Sequence, residues 1–198
     1  MDSYGKLPDK EIKPLGVISK KFLELGITSL KEACEYVHNG EYGYNTNYED
    51  KLIFFKEKKG SCTSKHATIA GLAEELGIPL YKEVCVYKFT EDITTGTNEI
   101  LKKYDLPYVP MVHCFLAFEK FRFDLTEGNY NGKKKPIDEY IHSERVDPFI
   151  SRKDEYLLFK KILSEYVLPS KEMEGKEERT ILKAREESII LLKECINK

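Results

Sequence analysis

Over residues 18–25 the apolar positions recur at helical spacing and stop at Gly26, which predicts a short amphipathic helix. Ser29-Leu30-Lys31-Glu32 follows as a capping box, in which the Ser oxygen and the Glu carboxylate satisfy exposed amides at a helix start. That helix is expected to run to about His38 and to end at Asn39-Gly40. The stretch GEYGYNTNYED reads as a loop whose hydroxyls and amides can line a site. Leu52 to Lys56 is a short apolar segment, broken by Lys58-Lys59-Gly60. From Ser61 or Cys62 to Leu76 the pattern is helical again, with Ile69, Ala70, Leu72, Ala73 and Leu76 as its stripe and Gly77 and Pro79 as its stop. The small residues Ala67, Ala70, Gly71 and Ala73 let another element come close, so this is expected to be the most buried helix.

The period then changes to two. Leu80 to Phe89 reads as a strand, Asn98 to Tyr104 as a turn or two of helix, and Met111–Phe118 and Phe121–Thr126 as the clearest strands. From Lys133 the chain reads as polar and helical, with helices over Arg152–Tyr166 and Glu172–Cys195 separated by Pro169. The last helix carries apolar positions 182, 189, 192 and 196 amid charges of both signs, the pattern of a solvated helix lying on a core or of an oligomer contact. These elements predict an α+β fold: an N-terminal helical segment (1–28), a core in which a central helix packs on an antiparallel sheet (29–132), and a C-terminal helical extension packed on that core (133–198).

The segment VPMVHCFLAFEKFRFDLTEG gives the sharpest local expectation. If two strands close around Glu119-Lys120, residue i faces residue 239 − i, and opposed residues share a face of the sheet. One face then carries Val112, Cys114, Leu116, Phe118, Phe121, Phe123 and Leu125; the other carries His113, Phe115, Ala117, Arg122, Asp124 and Thr126. A one-residue slip would bury Arg122 and Asp124, so the all-apolar face supports this register. His113 and Asp124 fall on a shared diagonal, about 7 Å apart along the backbone, within reach of an imidazole–carboxylate hydrogen bond. Arg122 shares their face, as a candidate partner for a substrate carboxylate or for a salt bridge to Asp124 or Glu119.

Composition narrows the class. The hydrophobic fraction of 41%, with 13 Tyr and 10 Phe, supports a packed core. Lys and Arg number 32 against 34 Asp and Glu, a net charge of −2 that argues against a dedicated nucleic-acid binder. Residues 1–16 have no apolar stretch of the kind a secretory leader carries, and no apolar run reaches the length of a membrane span. The five Cys (34, 62, 85, 114 and 195) form no CxxC pair, which predicts free thiols in a cytoplasmic protein rather than a disulfide framework or zinc ribbon.

A His oriented by an Asp lacks a nucleophile, and Cys62 opens the small-residue helix. Helix-start amides and partial positive charge lower a thiol pKa and can stabilise an oxyanion. Cys85 and Cys114 lie on strands and read as core, as buried cysteines commonly do; Cys34 and Cys195 read as helix-face residues. His66 is spaced to share a helical face with Cys62, but a Cys62–His66–His113 metal site would lack the paired ligand spacing and the fourth ligand that zinc sites usually show.

Gly60-Ser61-Cys62, a small-residue helix ending in LAEELGIP, a strand, and then VHCFLAF and FRFDLT together resemble the transglutaminase-like superfamily, over about residues 30–127. That family places its Cys at the start of a central helix, its His on a strand and its Asp on the next, in the order found here. The resemblance implies a papain-like thiol mechanism without cofactor or metal, acting on a peptide or a small amide or ester. His113 would deprotonate Cys62, Asp124 would hold the ring, and the acyl-thioester would pass to water or an amine. The first oxyanion donor would be the Cys62 amide, and a side-chain donor would come from Tyr44, Asn45, Asn47 or Tyr48. A catalytically silent member serving as a binding scaffold is the alternative. Arylamine acetyltransferases also use Cys, His and Asp in this order, but Lys58-Lys59-Gly60-Ser61 stands where their arginine-rich approach is expected.

Overall fold

Polar caps and breakers set the helix ends. In the computed structural model, which describes residues 4–196, α1 spans Val17–Glu24 and α2 spans Leu30–Asn39. The outermost residues of the expected segments 1–28 and 133–198 (1–3 and 197–198) lie outside the described part. The capping box of α2 forms as expected: Glu32 N–H donates to Ser29 Oγ (3.3 Å) and Ser29 N–H to Glu32 Oε2 (3.0 Å). Helix α1 has glycine, Gly16, at its N-cap, and its amides are met from elsewhere. Ile18 N–H and Ser19 N–H donate to the Glu75 carboxylate at 3.0 and 2.7 Å, while Gly16 N–H donates to Ser19 Oγ at 2.9 Å.

The chain continues through β1 (Glu41–Tyr42), α3 (Ile53–Glu57), β2 (Lys59–Gly60) and α4 (Cys62–Glu75). It goes on through β3 (Tyr81–Phe89), α5 (Thr97–Tyr104), β4 (Val109–Phe118), β5 (Phe121–Phe123), β6 (His142–Arg145), α6 (Arg152–Ile162) and α7 (Glu178–Cys195). Among the described residues the fold is thus α+β, with seven helices and an antiparallel four-stranded sheet ordered β5-β4-β3-β6. None of these helices is long and apolar enough to cross a membrane.

The described residues fall into two compact units. The first comprises the chain up to Val84, Cys114–Asn129 and Arg145–Ser151; the second comprises Cys85–His113, Tyr130–Glu144 and the chain from Arg152 onward. In the first, Phe22, Leu30, Val37, Ile69 and Leu72 pack with Leu116, Phe123 and Leu125. In the second, Tyr87, Phe89, Val109 and Met111 pack with residues of α6 and α7, including Phe159, Ile162 and Ile181.

The hairpin takes the expected register: Leu116 pairs with Phe123, Ala117 with Arg122 and Phe118 with Phe121. Glu119 makes the turn at a positive φ of 52°. Leu116, Phe118, Phe121, Phe123 and Leu125 all join the first core, as the alternation requires. Val112, expected with them, packs against the second core instead. Helix α4 is the buried helix the pattern predicts, with every residue from Ser64 to Ala73 buried.

Three expectations are corrected. The second hairpin strand ends at Phe123 rather than Thr126, because the Asp124 carboxylate takes up the Thr126 amide and hydroxyl and turns the chain out of the ladder. The region after Lys133, read as polar and helical, contains β6, whose sequence HSER alternates no apolar residue that would announce a strand. The two C-terminal helices are shorter than read: α6 gives way to a wider π turn over Leu163–Val167, and α7 begins only at Glu178, beyond Gly175 at φ 74°.

Candidate active site

The approach to Cys62 is built within the first unit. Lys58 adopts the left-handed conformation (φ 55°) and ends α3, after which β2 pairs in parallel with β1, Tyr42 opposite Gly60. Gly60 is required by space: a Cβ there would lie 2.8 Å from Ser64 Oγ, 2.9 Å from the Phe54 ring and 3.0 Å from Lys65 Cγ. Ser61 is the N-cap of α4 in extended backbone, yet its hydroxyl does not cap the first turn; it donates to the Tyr48 hydroxyl at 3.3 Å. Cys62 is then the first residue of a fourteen-residue helix and is half-buried. Cys34, Cys85 and Cys114 are buried, and burial pushes the Cys34 thiol up to about 12. Next to Cys62, Thr63 Oγ1 lies 3.9 Å from Cys114 Sγ, which brings the helix start against β4.

Asn45 pins the loop beneath this turn. Its side-chain amide donates to the Glu57 carboxylate and to the Lys59 carbonyl, each at 2.9 Å, and its carbonyl oxygen accepts from the Ser64 hydroxyl. Glu57, which also takes the Thr46 hydroxyl, is held below the usual carboxylate range, first by that bond and then by the one from Asn45. With both amide hydrogens directed inward, Asn45 serves the loop's shape. Of the other candidate oxyanion donors, Tyr48 is buried and its hydroxyl also accepts from Asn45 N–H at 3.3 Å. Tyr44 is half-buried, edge-on to Tyr42 at 6.4 Å, and Asn47 is exposed, its Oδ1 accepting from Glu49 N–H at 3.0 Å.

His66 is a residue whose role the sequence reading missed. It is fully buried on the first turns of α4. Nδ1 lies 2.7 Å from the Cys62 carbonyl oxygen and Nε2 lies 2.8 Å from the Leu125 amide nitrogen. A carbonyl can only accept and an amide N–H can only donate, so the ring is the neutral tautomer with its proton on Nδ1. Both ring nitrogens are thus engaged with backbone groups. Asp124 Oδ1 lies 3.5 Å from Nε2, but that nitrogen is an acceptor here, and Oδ1 takes its hydrogens from Thr126 N–H (2.8 Å) and Thr126 Oγ1 (2.7 Å). The first unit therefore brings the backbone of Cys62 and the carboxylate of Asp124 around one imidazole. The spacing of four residues between Cys62 and His66 was the available signal, since a helical His can reach back to the carbonyl one turn earlier.

The neighbouring Lys65 is also fully buried, and its ammonium donates to the His38 and Gly40 carbonyls at the end of α2. Burial lowers it to about 8, with the Asp124 carboxylate pulling in the opposite direction. Arg122 is exposed; it lies 3.5 Å from Glu83 and its guanidinium sits 5.1 Å from the Phe115 ring centre, so the two share a face as the register requires. Its ion pair with Glu83 is one that the sequence, which suggested Asp124 or Glu119, did not point to. His113 belongs to the second unit, where it is buried, its ring edge-on to Tyr87 at 6.2 Å and 79°.

No protein-family model, curated protein or solved structure matches the chain.

Proposed function

We propose that this chain is a cysteine-dependent amide hydrolase or acyltransferase with a transglutaminase-like core, and that Cys62, His113 and Asp124 are its nucleophile, base and orienting acid. One observation carries the reading: Cys62 is the first residue of α4, half-buried where the strand and α2 cysteines are buried, and the Asp124 segment is tied to that same helical turn. The hairpin register supports it: Ala117 pairs with Arg122 and the Arg122 guanidinium lies over the Phe115 ring, the parity from which the proposed base and acid were chosen.

In this mechanism His113 accepts the Cys62 thiol proton, and the thiolate sulfur bonds to the carbonyl carbon of an amide or ester. The Cys62 amide, at the positive end of α4, stabilises the resulting oxyanion. As the carbon–nitrogen or carbon–oxygen bond breaks, the imidazolium returns its proton to the leaving amine or alcohol. Water or a second amine, deprotonated by His113, then attacks the thioester and frees the thiol.

Iodoacetamide alkylation of the native protein from pH 6 to 9, with adducts located by peptide mass, tests this. Cys62 is expected to react fastest, with an apparent pKa below the ~8.5 of an ordinary thiol. His113→Ala should slow it at least about tenfold near pH 7, while Asp124→Asn should shift the profile. If Cys62 reacts no faster than Cys195, or if His113→Ala leaves its rate unchanged, the enzymatic reading fails and the scaffold alternative takes its place.

A further inference from the structure

We propose that His66 is a positioning residue that clamps the first turn of α4 to the chain just beyond β5, and so fixes Cys62 relative to Asp124. Its relevance to catalysis rests on the reading above, but the clamp itself does not. The ring is fully buried, so neither of its hydrogen bonds is exchanged cheaply for water. Nδ1–H holds the carbonyl of Cys62, and Nε2 takes the N–H of Leu125, which lies past the last ladder residue, Phe123. Leu125 needs such an acceptor because the Asp124 turn has removed it from the sheet. Its side chain is anchored in the first core and its neighbours on either side, Asp124 and Thr126, are bonded to each other. The Leu125 N–H therefore lies between two residues bonded to each other, and His66 is the group that receives it. A Leu or Met at position 66 would fill the space and leave both backbone groups without this partner.

The two nitrogens can be separated by substitution. Asn places its amide where Nδ1 lies and cannot reach Leu125; Gln places its terminal oxygen near Nε2 and gives up the short bond to Cys62. Amide hydrogen exchange in the unaltered protein is the first measurement. The Leu125 amide should exchange at least roughly a hundredfold more slowly than an unprotected loop amide, and exchange at the loop rate would overturn the clamp without any variant having to fold. In His66→Asn the protection of Leu125 should be lost while that of Ile69 to Ala73 remains; in His66→Gln it should be largely kept. Iodoacetamide alkylation of Cys62 at pH 7 should fall about tenfold in His66→Asn, the equivalent of one buried hydrogen bond, and less than threefold in His66→Gln. Leu125 protection that is the same in all three proteins refutes the clamp. Lost protection with unchanged Cys62 alkylation refutes its positioning role. Slow alkylation already in the unaltered protein, with Leu125 behaving as expected, refutes the enzymatic reading and leaves the clamp standing.

Discussion

The cap of α1 offers a quantitative test of how the first unit is held together. Gly16 has no side chain to cap the helix, and Glu75, at the far end of α4, accepts the Ile18 and Ser19 amides in its place. Replacing Glu75 by Ala removes two charge-assisted bonds at a half-buried helix start. A lost N-cap costs about 0.5–2 kcal/mol, and the charged acceptor places this case at the upper end, about 2 kcal/mol. At this chain length that corresponds to a fall in Tm of about 4–8 °C. Gly16→Ala should act through the same contact: its Cβ would lie 2.1 Å from Glu75 Cδ, so the carboxylate must swing away and the amides lose their acceptor. The two substitutions should therefore not add. In urea denaturation followed by circular dichroism, Gly16→Ala combined with Glu75→Ala should cost little more than Glu75→Ala alone, a coupling of about 1–2 kcal/mol. Glu75→Gln, which keeps an oxygen but not the charge, should recover about half of the loss. Strict additivity, or a cost below about 0.5 kcal/mol for Glu75→Ala, would refute the long-range cap.

Other consequences are equally direct. Lys65 titrates at about 8 when folded against an ordinary 10.5, so the unfolded chain binds more protons between those values. Its contribution to stability should rise from about pH 8 to about pH 10.5, and urea midpoints of Lys65→Met should lack that rise; parallel pH profiles would exclude the assignment. Asn45→Ala strips partners from Glu57, the Lys59 carbonyl and Ser64 together, and should cost about 2–3 kcal/mol by the same assay. Phe123→Ala opens the first core at a fully buried ring and should cost about 3–5 kcal/mol; a change below about 1 kcal/mol would contradict the packing described.

What was readable in the chain and what was not divides along the range of the interaction. The Ser29 box, the start of α4 at Cys62 and the register of the 119–120 hairpin are local, each fixed by residues a few positions apart, and each is found as expected. The hairpin was legible because five aromatic and aliphatic residues had to reach one core, leaving a single parity. Strand β6 was not, since its four residues are polar and its pairing comes from the sheet, not from its own pattern. The Asp124 turn shows a local side-chain bond overriding the apparent strand propensity of FRFDLT. Glu75 and His66 were hidden for another reason: each satisfies backbone groups more than fifty residues away, and no periodicity marks an acceptor whose donor is that distant. Within the candidate site, the helix-start cysteine was visible, whereas the fixed role of Asn45 emerged only once its amide was seen to face Glu57 and Lys59.

The early end of β5 has a consequence for how the protein behaves in company. In the order β5-β4-β3-β6 the two outermost strands are also the shortest of the four, three residues on one side and four on the other. An outer strand with a long open row of amides is a template on which further chains add and precipitate. Here the carboxylate at 124 curls the backbone away after Phe123, and the opposite margin is the charged, hydrophilic run His142–Arg145. Neither border offers a long row of backbone groups to a stray strand, so the turn that shapes the candidate site also keeps that margin of the sheet short.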